Sequence, residues 1–90
     1  MQGSTHILVV DDDSEIRELL EEYLSKSGFR VSSVEDGIAL EKHIESEGYP
    51  DLMLLDVMLP GDDGFTLCQK VRKHSNVPII MLTAVSDETD

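Results

Sequence analysis

The acidic residues of this chain gather where two apolar runs stop. Ile7-Leu8-Val9-Val10 ends in Asp11, Asp12 and Asp13, and Leu52-Met53-Leu54-Leu55 ends in Asp56. A carboxylate beside a dry run is unfavourable unless it reaches solvent or finds a partner. For either run alone, a strand-terminating Asp facing water is explanation enough. Two runs ending alike raise a sharper question, because neighbouring strands lie about 4.8 Å apart. Carboxylates that close repel by roughly 4 kcal/mol per pair at an effective dielectric near 20. Either one of them takes up a proton, or a cation sits among Asp11, Asp12 and Asp56. The ligands on offer are hard oxygens without a His or Cys cluster, which favours Mg2+ over zinc. Such an ion keeps several waters and accepts phosphate oxygens. An ionised Asp56 beside it has the chemistry to attack phosphorus without a base. Thr83 closes the run Pro78-Ile79-Ile80-Met81-Leu82 and offers a hydroxyl to a phosphoryl oxygen on the same rim. Taken alone, it reads as a strand-end Thr satisfied by backbone. Asp62 and Asp63 are better explained by turn chemistry than by metal binding.

The spacing of apolar residues supplies the elements that would hold these groups. Residues 6–11 read as a strand, with His6 a surface residue at its entrance. Ser14 to Lys26 carries Ile16, Leu19, Leu20, Tyr23 and Leu24 on one helical stripe, so Tyr23 is expected in the core. Asp13 or Ser14 can cap that helix, and Gly28 closes it. Phe29 to Val34 alternates as an edge strand does. A second helix follows from about Ile38 to Glu47, with His43 expected in solvent. Leu52–Leu55 is unalternating, as in a strand covered on both faces. A third helix from about Phe65 to His74 is expected to turn Phe65, Leu67, Cys68 and Val71 inward. Residues 78–83 form the fourth strand, with proline tolerated at its first position. Strand and helix thus alternate as β-α-β-α-β-α-β, which predicts a parallel sheet with right-handed crossovers and helices on both faces. In the order 2-1-3-4, the first and third strands are neighbours, and ligands bind at the carboxyl ends where the winding reverses.

Composition narrows the function classes. Ninety residues make one domain near the lower end of what buries its own core. A formal charge of −12 argues against this segment holding nucleic acid or an anionic membrane, and favours divalent cations and basic partners. The single cysteine, Cys68, excludes an internal disulfide and makes a reducing compartment the simpler expectation. Residues 1–5 lack a signal-peptide pattern and no run approaches membrane-spanning length, so a cytoplasmic protein is expected.

Taken together, the residues resemble the receiver domain of bacterial two-component response regulators. The resemblance rests on Ile7 to Asp13, on Asp51 to Asp56 with Met58-Leu59-Pro60-Gly61 and Asp63-Gly64, and on Pro78 to Ala84, in order and spacing across the whole chain. It implies a flavodoxin-like α/β fold and a signalling switch rather than an enzyme. Asp56 would be the phosphoacceptor, charged by the phosphohistidine of a sensor histidine kinase. Asp12 would bind Mg2+ directly and Asp11 through water, with Asp56 and the backbone carbonyl of Met58 completing the protein ligands. Thr83 would be the switch residue, with Ala84 leaving room for it to turn. Val57 to Gly61 and Phe65 to Cys68 resemble the subfamily that controls winged-helix transcription factors, so DNA binding would belong to an output domain outside residues 1–90. The family pattern continues with a last α-β-α that this sequence does not contain. The fourth strand, apolar on both faces, is then an open edge. That predicts either a longer parent chain or a homodimer, two chains completing each other by segment exchange.

Two other classes fit less well. A Mg2+-dependent phosphatase or phosphotransferase with an Asp nucleophile would want an acid–base residue two positions on, where Met58 stands. A flavin- or nucleotide-binding module would want a Gly- or Ser/Thr-rich phosphate loop after the first strand, where three acids stand.

Overall fold

A computed structural model describes residues 4–59 and 63–82. Four parallel strands, β1 (His6–Val10), β2 (Arg30–Val34), β3 (Leu52–Asp56) and β4 (Ile79–Leu82), alternate with the helices α1 (Ser14–Lys26), α2 (Gly37–Glu47) and α3 (Gly64–Arg72). The sheet order is β2-β1-β3-β4, as the alternation predicts. Register aligns Val10 with Leu55 and Asp56 with Leu82, so β1 and β3 end together.

Each helix begins on an aspartate whose side chain accepts backbone N–H groups of the first turn. Asp13 accepts from Glu15 and Ile16, Asp36 from Ala39, and Asp63 from Thr66. These caps fix where each crossover turns back toward the sheet. The cap bond to Thr66 also holds the Asp63 carboxyl below the usual carboxylate range. Gly28 follows α1 at φ +98°, a left-handed conformation that favours glycine.

The core is lopsided. Leu8, Val10, Met53 and Leu55, alternating on one sheet face, pack with Leu40 of α2 and Leu67 and Val71 of α3. Cys68 is partly buried against the same cluster. On the other face Ile7 and Val9 are buried, yet α1 has no buried residue. Here the expectation from periodicity fails: Tyr23 is 66% exposed and Leu19 63%. Periodicity shows that a helix has an apolar side, not that something covers it. Phe65 likewise points outward, at 62% exposure, because the capped first turn aims Leu67 and Val71 at the sheet instead. At the amino-terminal rim the two histidines also depart from expectation. His6 is buried and His43 half-buried, since α2 lies over the entrance of β1 rather than leaving it open.

Candidate functional site

The carboxyl ends of β1 and β3 bring three acids together. Asp11, Asp12 and Asp56 each offer a carboxylate oxygen, and these atoms all lie within 4.8 Å of one another. Asp11 is 6% exposed, Asp56 half-buried and Asp12 exposed. Asp11 is held from three directions. Its N–H donates to the Val34 carbonyl at 3.1 Å, its own carbonyl accepts from Arg17 Nη1 at 2.7 Å, and its Oδ1 accepts the Asp13 N–H at 2.9 Å. Arg17 therefore ties the acidic loop to the first turns of α1, a contact that sequence reading did not anticipate.

Asp56 is fixed in a similar way. Its Oδ1 accepts the Met58 N–H at 3.0 Å, which curls the chain after β3 around the carboxylate. Gly64, the first residue of α3, presses against the back of this turn. A Cβ built there would stand 2.3 Å from the Asp56 carbonyl oxygen and 2.6 Å from Val57 Cα, both backbone atoms that cannot rotate aside. The Gly64 N–H donates to the Val57 carbonyl at 3.0 Å. In the sequence Gly64 reads as a turn glycine; its use is to let two backbones touch. Thr83 and Asp62 lie outside the described residues.

The electrostatics agree with the crowding. The Asp11 carboxyl is raised above its ordinary value, first by burial and then by the charges of Asp56 and Asp12, against the opposing bond from Asp13 N–H. A divalent cation among these hard oxygens would remove that penalty, and the donor set suits Mg2+. The arrangement can therefore hold a small hard cation and present Asp56 beside it.

Comparison with known proteins decides the family. Residues 7–90 match the response regulator receiver domain. The chain belongs to that family. As a receiver domain it is similar to the transcriptional regulatory protein GltR of Pseudomonas aeruginosa, with 55% identity over 87 residues covering 93% of this chain and 36% of GltR. It is 44% identical to the transcriptional regulatory protein CseB of Streptomyces coelicolor over 90 residues, all of this chain and 38% of CseB. The chain thus spans little more than a third of these regulators. Among solved structures, the BeF3-activated receiver domain of Klebsiella pneumoniae RstA superposes with a TM-score of 0.82 at 41% identity, covering 92% of this chain and 70% of that one. The Thermotoga maritima response regulator TrrA, solved with Mg2+ and BeF, gives a TM-score of 0.81 at 41% identity, covering 91% of this chain and 71% of that one. Receiver domains bind Mg2+ at an acidic cluster, and the receiver described here has such a cluster in Asp11, Asp12 and Asp56. No helix among its described residues is long and apolar enough to cross a membrane.

Proposed function

We propose that residues 1–90 serve as the phosphoacceptor domain of a transcriptional regulator, and that Asp56 takes the phosphoryl group of a sensor kinase's phosphohistidine. The observation that carries this reading is the meeting of Asp11, Asp12 and Asp56 oxygens within 4.8 Å at one rim of the sheet. With Oδ1 engaged by the Met58 N–H, Oδ2 of Asp56 is the oxygen left to bond phosphorus. As that bond forms, the phosphorus–nitrogen bond to the donor imidazole breaks, and the electron pair and a proton stay with the imidazole. Asp11, Asp12, Asp56 and the backbone carbonyl of Met58 would hold Mg2+. When bound, this ion offsets charge on the phosphoryl oxygens. Thr83 is assigned as the residue that turns toward the phosphoryl group. The acyl phosphate then biases a pre-existing equilibrium between two loop arrangements.

On this reading the domain is a substrate and at most a weak catalyst of its own dephosphorylation. It acts in the cytoplasm, and DNA is reached through a separate output domain. Among the described residues the outer edge of β4 is unpaired; either a longer parent chain covers it, or two copies complete each other by pairing or segment exchange. Sedimentation showing a monomer at every concentration would remove the dimer from the reading.

The test of the phosphoacceptor is intact mass after incubation with Mg2+ and a small acyl phosphate. The native protein should gain one phosphoryl group and Asp56→Asn none. An equal gain in both would take the role away from Asp56.

A further inference from the structure

At the end of the sheet opposite the acids, two imidazoles face each other. His6 opens β1 and is 6% exposed. Its backbone N–H donates to Asp51 Oδ2 at 2.8 Å, and its Nε2 lies 2.9 Å from Ser32 Oγ on β2. The hydroxyl can donate or accept, so this contact serves either proton arrangement of the ring. His43 reaches in from α2, its ring centre 5.8 Å from that of His6 and tilted by 45°. Its Nε2 is buried and has no hydrogen-bond partner.

The pair is not a metal centre. Among the described residues, the group of three or more close-set ligands is the acidic one at the other rim, so a third ligand for these rings is missing. What two packed imidazoles can do is respond to protons. Once charged, His6 would lie against the His43 ring, whose buried Nε2 makes no hydrogen bond. A charge on His6 would meet Arg30 from β2 and His43 from α2; Asp51, just before β3, and Glu47, at the end of α2, offset it. Burial is the largest influence, and with Arg30 and His43 it holds His6 below its ordinary value of 6.5.

We propose that His6, packed against His43, is a proton-sensitive latch between β1 and α2: the uncharged His6 ring packs the amino-terminal rim, and charging it loosens α2 from the sheet. The latch is independent of the phosphoryl reading. The fold disfavours the proton, so its contribution is whole above the unfolded imidazole value, is lost as pH falls through that value, and levels off below the folded one. One such proton changes the folding constant by at most about tenfold per pH unit.

The test is denaturant unfolding of the protein without Mg2+ at about pH 7.5 and about pH 5.5, a window set by the imidazole range. His6→Gln, which retains a polar reach to Ser32, is compared with the native protein. Comparing variants cancels the titration of the distant acids. The ratio of native to His6→Gln folding constants should fall by more than about twofold, and at most about tenfold, between the two pH values. A ratio constant within about twofold overturns the latch. Should a variant fail to fold, the ring C2–H resonance of His6 in the native protein decides. A midpoint below the ordinary imidazole value supports the latch, and one at or above it overturns the latch.

Discussion

Replacing Asp56 by Asn should make the folded domain more stable in the absence of divalent cations, although Asp56 is the proposed reactive group. The oxygens of Asp11 and Asp12 lie within 4.8 Å of the Asp56 carboxylate. At that separation each pair repels by roughly 0.9 kcal/mol in water and roughly 3.5 kcal/mol at an effective dielectric near 20. Asp12 is exposed and its repulsion falls near the first figure; Asp11 is buried, and its raised carboxyl pKa moderates its share. A net gain of about 1–3 kcal/mol follows for Asp56→Asn in EDTA. Asparagine keeps the oxygen that accepts the Met58 N–H, so the turn should survive the change. The assay is urea unfolding of both proteins with EDTA and with Mg2+. Native protein should gain stability with Mg2+, by about 2.7 kcal/mol at a hundredfold excess over Kd, while Asp56→Asn gains much less. The pH dependence adds a sign. The Asp11 pKa is raised by folding, so its contribution is complete below the unfolded value and lost as pH rises through the folded one. In EDTA, this group should therefore stabilise native protein as pH falls from neutral toward its ordinary value of 3.8, and Asp56→Asn should flatten that rise. An Asp56→Asn protein no more stable than the native one in EDTA, or equally stabilised by Mg2+, would refute the reasoning.

Three further outcomes are expected. Gly64→Ala should lose about 3 kcal/mol or more of unfolding free energy, read from the urea midpoint, because the new methyl meets backbone rather than a yielding side chain. Leu67→Ala should cost about 2–5 kcal/mol and Leu19→Ala much less, since one side chain fills the core and the other faces solvent. Arg17→Met should weaken Mg2+ binding, measured by titration, by freeing the Asp11 carbonyl. Coulomb attraction alone predicts the opposite, because a positive charge has been removed.

The strand order and the meeting of acids were legible because both follow from local pattern. An unalternating run such as Leu52–Leu55 reads as an interior parallel strand, although Leu52 and Leu54 are only half-buried, and three crossovers of one helix each leave few parallel arrangements. Tyr23 and Phe65 were not legible, because amphipathic spacing names a side of a helix and leaves its neighbour unstated. His6 and His43 were missed for the same reason: a residue at a strand entrance is buried only if another element happens to lie across it. Gly64 needed the distance between two backbones, which no residue type declares. Arg17 stands six residues from Asp11, and one turn of α1 brings its guanidinium back to the loop it follows.

The contact between Gly64 and the end of β3 has a mechanical meaning. With backbone against backbone and the Gly64 N–H bonded to Val57, no slack lies between the tip of β3 and the start of α3. A pull on Asp56 would therefore be delivered to that helix as a rigid-body displacement instead of being absorbed by rotating side chains. The far end of α3, where Arg72 grips the Val77 carbonyl, would carry the same movement onward to the segment leading into β4.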